Sequence, residues 1–296
     1  MSAIALSPSR AADFQQCPLL YRFRVIDRIP EAPSPAAVRG TVVHAVLERL
    51  FDLPAERRSV EAAQELLDPQ WTRLQEERPE LATMFEGDPA ALREWLTQAA
   101  ELVARWFELE DPTRLEPTER ELLVETVLDG GPALRGIVDR LDVAPDGRMR
   151  VVDYKTGRAP RPPYEAKALF QLRFYALVLW RLHGRMPAVL QLVYLGSGDV
   201  LRYVPKEEDL LATERKVRAL WEAIVLAARS GDWRPSPSRL CDWCDHQTRC
   251  PTRGGTPPPL PPDAVTRILG AGGTGEAPDL DDEVRPPGGT ERGRHS

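Results

Sequence analysis

Lysine is nearly missing from this sequence. Of 39 basic residues only Lys155, Lys167, Lys206 and Lys216 are lysines, so arginine is the ordinary carrier of positive charge. None of the four follows a glycine, which excludes a phosphate loop of the form G-x-x-x-x-G-K-[ST] and the nucleotide-driven motor it would serve. Histidine is as scarce, and His44 lies in HAVLE rather than H-E-x-x-H, so the zinc-protease pattern is absent too. No apolar run approaches the roughly 18 residues that a membrane span needs, and the first residues hold no charged-then-apolar leader. These absences lead to the expectation of a cytoplasmic chain without a membrane partner.

What is there is an ordinary globular composition: 296 residues, 42% apolar and 28% charged, enough to bury a sizeable core. The net charge of −6 conceals an uneven distribution. Residues 52–126 carry 19 acidic and 8 basic side chains, and residues 254–296 carry 7 and 4, which leaves a basic excess in the rest of the chain. An acidic total therefore does not exclude nucleic acid, because binding depends on a local basic face. A solvated helical surface accounts for 52–126 equally well.

Ser7–Pro8 fits a helix start, with serine as cap and proline in the first turn, followed by a short helix bearing Phe14 and Cys17. Val43, Leu47 and Leu50 predict a helix from Ala36 to Phe51. Residues 59–110 show helical periods broken at Pro69, Pro79 and Pro89, which predicts a helical subdomain. Strands are predicted at Leu122–Leu128, Ala133–Val143 and Met149–Tyr154, the last two joined by a Pro145–Asp146–Gly147 turn. A helix from Glu165 to Leu182, strands at Val189–Leu195 and Val200–Val204, and a helix from Glu207 to Ser230 follow. The expected architecture is an α/β domain over residues 1–253, a β-meander with flanking helices and a helical insertion at 52–115. Residues 254–296, rich in proline and glycine, read as a disordered tail.

The stretch VVDYKTG places one of the rare lysines, Lys155, two residues after Asp153 at the end of an apolar strand. Period-two alternation points both side chains to one face. The tight turn makes GIVDRLDV the antiparallel neighbour of VVDYKT, so Asp139 and Asp153 can share one end of a small sheet. Hard oxygen ligands of this kind suit Mg²⁺ or Mn²⁺, and a lysine beside such an ion can orient water and stabilise charge developing on phosphate. Spacing alone equally describes a charged residue on the solvent face of a hairpin.

All four cysteines fall into one set: Cys17 near the start and Cys241-x₂-Cys244-x₅-Cys250 near the end. Three clustered ligands plus a distant one give the count for tetrahedral zinc or for a four-thiolate iron–sulfur cluster, and the residues leave both open. Two disulfides are the lesser use of four cysteines in a chain read as cytoplasmic.

GIVDRLD followed by VVDYKTG resembles the PD-(D/E)xK nucleases, specifically the RecB-like exonucleases, whose relatives include the nucleases of CRISPR adaptation and AddB-type nuclease domains. G-x-x-x-H at Gly40–His44 and Q-x-x-x-Y at Gln171–Tyr175 match two further elements of that pattern. The resemblance covers about residues 6–251 and implies a restriction-endonuclease-like core. It implies that His44, Asp139, Asp153 and the backbone carbonyl of Tyr154 hold Mg²⁺ or Mn²⁺, that Lys155 serves the water, and that Gln171 and Tyr175 line the site and contact the DNA backbone. It also implies a [4Fe–4S] cluster on Cys17, Cys241, Cys244 and Cys250, with zinc as the lesser alternative. The expected activity is a metal-dependent deoxyribonuclease, an exonuclease preferring single strands in repair or recombination, alone or with a separate helicase. The alternative is a catalytically silent iron–sulfur DNA-binding scaffold. Residues 52–115 match no part of the family pattern.

Overall fold

The computed structural model describes residues 4–160 and 165–270. In chain order they form α1 (Pro8–Gln16), α2 (Pro18–Tyr21), α3 (Pro35–Leu50), α4 (Val60–Gln64), α5 (Leu67–Glu77), α6 (Pro89–Leu109), β1 (Glu119–Val127), β2 (Ala133–Val143), β3 (Met149–Lys155), α7 (Glu165–His183), β4 (Val189–Tyr194), β5 (Asp199–Tyr203), α8 (Glu207–Ser230) and α9 (Ala264–Leu269). The strands make one mixed five-stranded sheet in the order β1-β2-β3-β4-β5, flanked by helices. β2 and β3 are antiparallel across the Gly147 turn, where φ is +82°. The expected meander holds up to β3 and again from β4 to β5. Between them the structure differs: β3 and β4 run parallel, because a segment as long as α7 returns the chain to the same end of the sheet.

The start of α1 follows the Ser7 cap read from the sequence, and α6 starts on a cap of the same kind that was not named there. Ser7 accepts a hydrogen bond from the Arg10 amide at 3.2 Å with Pro8 in the first turn, and Asp88 accepts from the Ala91 amide at 2.8 Å ahead of Pro89. Pro69 does not interrupt a helix. It sits in the first turn of α5, where a missing N–H costs nothing.

The chain divides into two compact units. One contains residues 30–124 and 136–216, and therefore α3 to α7 and most of the sheet. Its core packs Val42, Val46 and Leu50 of α3 and Trp95, Val103 and Trp106 of α6 with Val152, Tyr154 and Val193 of the sheet. The Trp95 indole donates to the Pro35 carbonyl at 2.8 Å, tying α6 to the start of α3. β3 is buried along both faces, as expected of a strand with a parallel neighbour.

The other unit gathers the described residues of 1–29, 125–135 and 217–296. Leu6 bridges to Leu134, and Tyr21 stacks on Trp233 at 5.9 Å between ring centroids. Here the tail expectation needs correction for residues 254–270. α9 buries Ala264 and Ile268, Ile4 donates to the Arg267 carbonyl at 3.1 Å, and Arg22 donates to the Pro258 carbonyl. The hexad AVTRIL, with four apolar residues, is diluted in the composition of 254–296 by the residues around it. Residues 271–296 lie outside the described residues. Among the described residues no helix is long and apolar enough to cross a membrane.

Candidate active site

The chemistry-bearing residues named from the sequence converge on the carboxyl end of β3. Lys155 Nζ lies 2.6 Å from Asp153 Oδ2 and donates to Gln171 Oε1 at 2.8 Å. Gln171 Nε2 donates to Asp153 Oδ1 and lies 2.9 Å from the Tyr175 hydroxyl. Strand parity brings Asp153 and Lys155 to one face, and one turn of α7 places Gln171 and Tyr175 over it. Asp139 arrives from β2, and its Oδ2 accepts the Tyr154 backbone N–H at 2.7 Å.

His44 comes from α3, with Nδ1 3.6 Å from Asp139 Oδ2. Its helix fits because Gly40, one turn earlier, lies against Thr156, where a Cβ would come within 3.3 Å of Oγ1. Gly136 has a similar role on β2: a Cβ there would stand 2.5 Å from the Tyr175 ring. The glycines of G-x-x-x-H and of GIVD thus clear space for the elements that carry the polar groups.

Sequence reasoning missed Glu121. Its carboxylate, with His44 and Asp139, forms a group of donor atoms within 4.8 Å of one another. Its backbone has φ +45°, a strained conformation for a residue with a side chain. The only sequence signal was an acidic residue at the head of an apolar strand, one of 19 acidic residues in 52–126. Asp153 stands outside this tight group, its oxygens engaged by Lys155 and Gln171.

Burial and crowded negative charge shape the electrostatics. Burial and the Asp139 charge push Glu121 up to about 8. Burial and Asp139 likewise raise Asp153 to about 6, against the pull of Lys155. Burial opposes protonation of His44, but Asp139, Glu121 and Asp153 together hold its imidazolium up to about 9. Asp139 is raised by burial yet held below the ordinary range by His44 and the Tyr154 amide. Carboxylates and an imidazole forced together in this way suit a hard divalent cation, which offsets their repulsion.

In the other unit the four cysteines line a single pocket with Leu19, Leu20 and Phe23, and none forms a disulfide. The Ser236 amide donates to Cys17 Sγ at 3.4 Å and the Ser238 amide to Cys241 Sγ at 3.3 Å. Burial raises the Cys244 thiol, and the charges of Cys250, Cys17 and Cys241 raise it further. His44, Glu121 and Asp139 form the only group of three such donors within 4.8 Å among the described residues, so no three of the sulfurs lie that close together.

A family model described as the PD-(D/E)XK nuclease superfamily matches residues 5–251. The chain belongs to this superfamily. PD-(D/E)XK proteins hydrolyse nucleic acids with divalent metals such as Mg²⁺ or Mn²⁺, in keeping with the donor set on α3, β1 and β2. The Gene 69 protein of Mycobacterium phage D29 is 26% identical over 272 residues, covering 83% of this chain and 96% of its own. The Gene 69 protein of Mycobacterium phage L5 is 25% identical over 284 residues, covering 83% and 95%. The crystal structure of a "Putative exonuclease" from Eubacterium rectale superposes with a TM-score of 0.53 at 16% identity, covering 82% of this chain and 87% of that one. That likeness is one of fold.

Proposed function

We propose that this PD-(D/E)XK protein is a Mg²⁺- or Mn²⁺-dependent deoxyribonuclease, an exonuclease that prefers single-stranded ends in DNA repair or recombination. The observation that carries the reading is the unbroken polar chain Lys155–Asp153–Gln171–Tyr175 beside the donors His44, Glu121 and Asp139. His44, Asp139, Asp153 and the Tyr154 carbonyl would hold the cation, with Glu121 as a donor that the motif does not include. A bound divalent cation supplies Lewis-acid activation of water and charge for the phosphate. Lys155, fixed by Asp153 and Gln171, orients that water and stabilises negative charge gathering on the phosphoryl oxygens as the P–O bond breaks. Gln171 holds the lysine, Tyr175 holds Gln171, and both face the DNA backbone. The exonuclease and single-strand assignments follow the RecB-like resemblance of GIVDRLD and VVDYKTG, and the name of the Eubacterium rectale protein agrees with the first of them.

The RecB-like resemblance assigns the cysteine pocket to a [4Fe–4S] cluster, with zinc as the lesser alternative. The Ser236 and Ser238 amides that donate to sulfur are contacts suited to thiolate ligands.

The test is degradation of end-labelled single- and double-stranded DNA with Mg²⁺ or Mn²⁺ by protein purified without oxygen. The wild type should cleave, Asp139→Ala should lose cleavage with an unchanged circular dichroism spectrum, and Lys155→Ala should fall by about 10²-fold or more. Metal-dependent cleavage surviving in Asp139→Ala overturns the assignment. A wild type that binds DNA but never cuts it turns the reading into a scaffold.

A further inference from the structure

The helical insertion has no counterpart in the motif, yet its last residues reach the back of the catalytic strands. Glu110, which caps α6, grips Arg140 of β2 with both carboxylate oxygens at 2.8 Å. Arg140 is 1% exposed and donates at 2.6 Å to the hydroxyl of Tyr154 on β3. Around this centre the Trp106 indole donates to Glu110 at 2.9 Å, Gln191 of β4 donates to it at 3.2 Å, and Arg202 of β5 donates to Gln191 at 3.0 Å. One ionic knot therefore joins α6 to four consecutive strands.

We propose that Glu110 and Arg140 are positioning residues for the nuclease site, acting through Tyr154 to fix the metal-binding carboxylate of Asp139. The geometry is direct. Asp139 and Arg140 are adjacent on β2 and point to opposite faces of the sheet. Arg140 holds the Tyr154 hydroxyl on one face, while the Tyr154 backbone N–H donates to the Asp139 side chain, Oδ2, at 2.7 Å, just past the paired register Arg140–Val152. A slip of β3 against β2 breaks both contacts at once and strands a buried guanidinium. A buried ion pair adds little stability over apolar residues of equal volume, but it penalises any register other than its own. Metal ligands need that constraint more than the core does. Helix α6 makes a second attachment at the same end of the sheet, where Arg105 donates to the Leu195 and Gly196 carbonyls at 3.2 and 3.1 Å. Gly196 in turn lies against the backbone of Thr156 and Gly157, just after Lys155.

The proposal rests on the metal reading of His44, Glu121 and Asp139, and its test separates the two. Mn²⁺ binding to the full chain without DNA is measured from the free-ion electron paramagnetic resonance signal, alongside cleavage and thermal melting. The variants are Tyr154→Phe, the double variant Glu110→Leu/Arg140→Met, and Asp139→Ala as control. The double variant should fold and melt near the wild type yet bind Mn²⁺ about 10-fold more weakly, the loss typical when the groups that hold a metal ligand are removed. Tyr154→Phe, which deletes one hydroxyl, should weaken binding in the same direction. Wild-type Mn²⁺ affinity and turnover in a folded double variant overturn the proposal. If the double variant does not fold, wild-type affinity in Tyr154→Phe overturns it alone. Asp139→Ala binding Mn²⁺ like the wild type would instead overturn the metal reading itself.

Discussion

Gly136 has no side chain because the ring of Tyr175 fills the space one would need. A Cβ built there meets two ring carbons at 2.5 and 2.9 Å. Gly136→Ala should therefore destabilise by about 1–3 kcal/mol through overpacking. It should also draw Tyr175 away from Gln171 and lower kcat more than the melting temperature alone accounts for. A variant that melts and cleaves like the wild type would show that the ring has room to move. At this scale the sequence was most readable where local geometry alone decides direction. Spacing of two on a strand put Asp153 with Lys155, and spacing of four on a helix put Gln171 with Tyr175. Glu121 was not readable, because its aim depends on a backbone turned to φ +45°, which no side-chain pattern encodes.

Between elements, the connection that matters most joins α6 to β2. Arg140 is 1% exposed and its partner lies in an insertion with no recognisable pattern, so neither member of the pair was named from the sequence. The helices and strands were legible from periodicity. The parallel β3–β4 pairing was not, since it depends on where α7 packs. The Glu110–Arg140 pair has a measurable acid signature. Burial pushes the Glu110 carboxyl up, but the hydrogen bonds and charge of Arg140, with the Trp106 indole, hold it below the ordinary carboxylate range. The unfolded chain titrates near the ordinary value of about 4.3, so the folded state gains stability fully above that pH and loses it as pH falls through the lower folded value. Glu110→Gln should melt lower at pH 7 and show a shallower decline of melting temperature from pH 5 to pH 3 than the wild type. Parallel curves for the two proteins would mean that Glu110 contributes nothing to the acid limb.

For the molecule as a whole, the cysteine set joins the chain's distant segments within one unit. Cys17 ends α1 and accepts a hydrogen bond from Ser236, 219 residues further on, while Cys241, Cys244 and Cys250 sit on short turns after α8. Loop-closure cost grows only with the logarithm of length, so the proposed cluster would restrain this very long loop at little more expense than a short one. By chain entropy such a cross-link is worth on the order of 5 kcal/mol. In a chain of this size that corresponds to a fall of roughly 10 °C or more in melting temperature when it is lost. Protein prepared without oxygen should be brown and carry four irons, and Cys244→Ser should lose the iron and melt lower by that margin. The thiols lie in a unit distinct from the one that holds His44, Asp139 and Lys155, so Cys244→Ser should leave Mn²⁺ binding at the nuclease donors in place at temperatures where the variant is still folded. Colourless wild-type protein with one tightly bound zinc would refute the iron assignment, and an iron-free Cys244→Ser variant with an unchanged melting temperature would refute the staple.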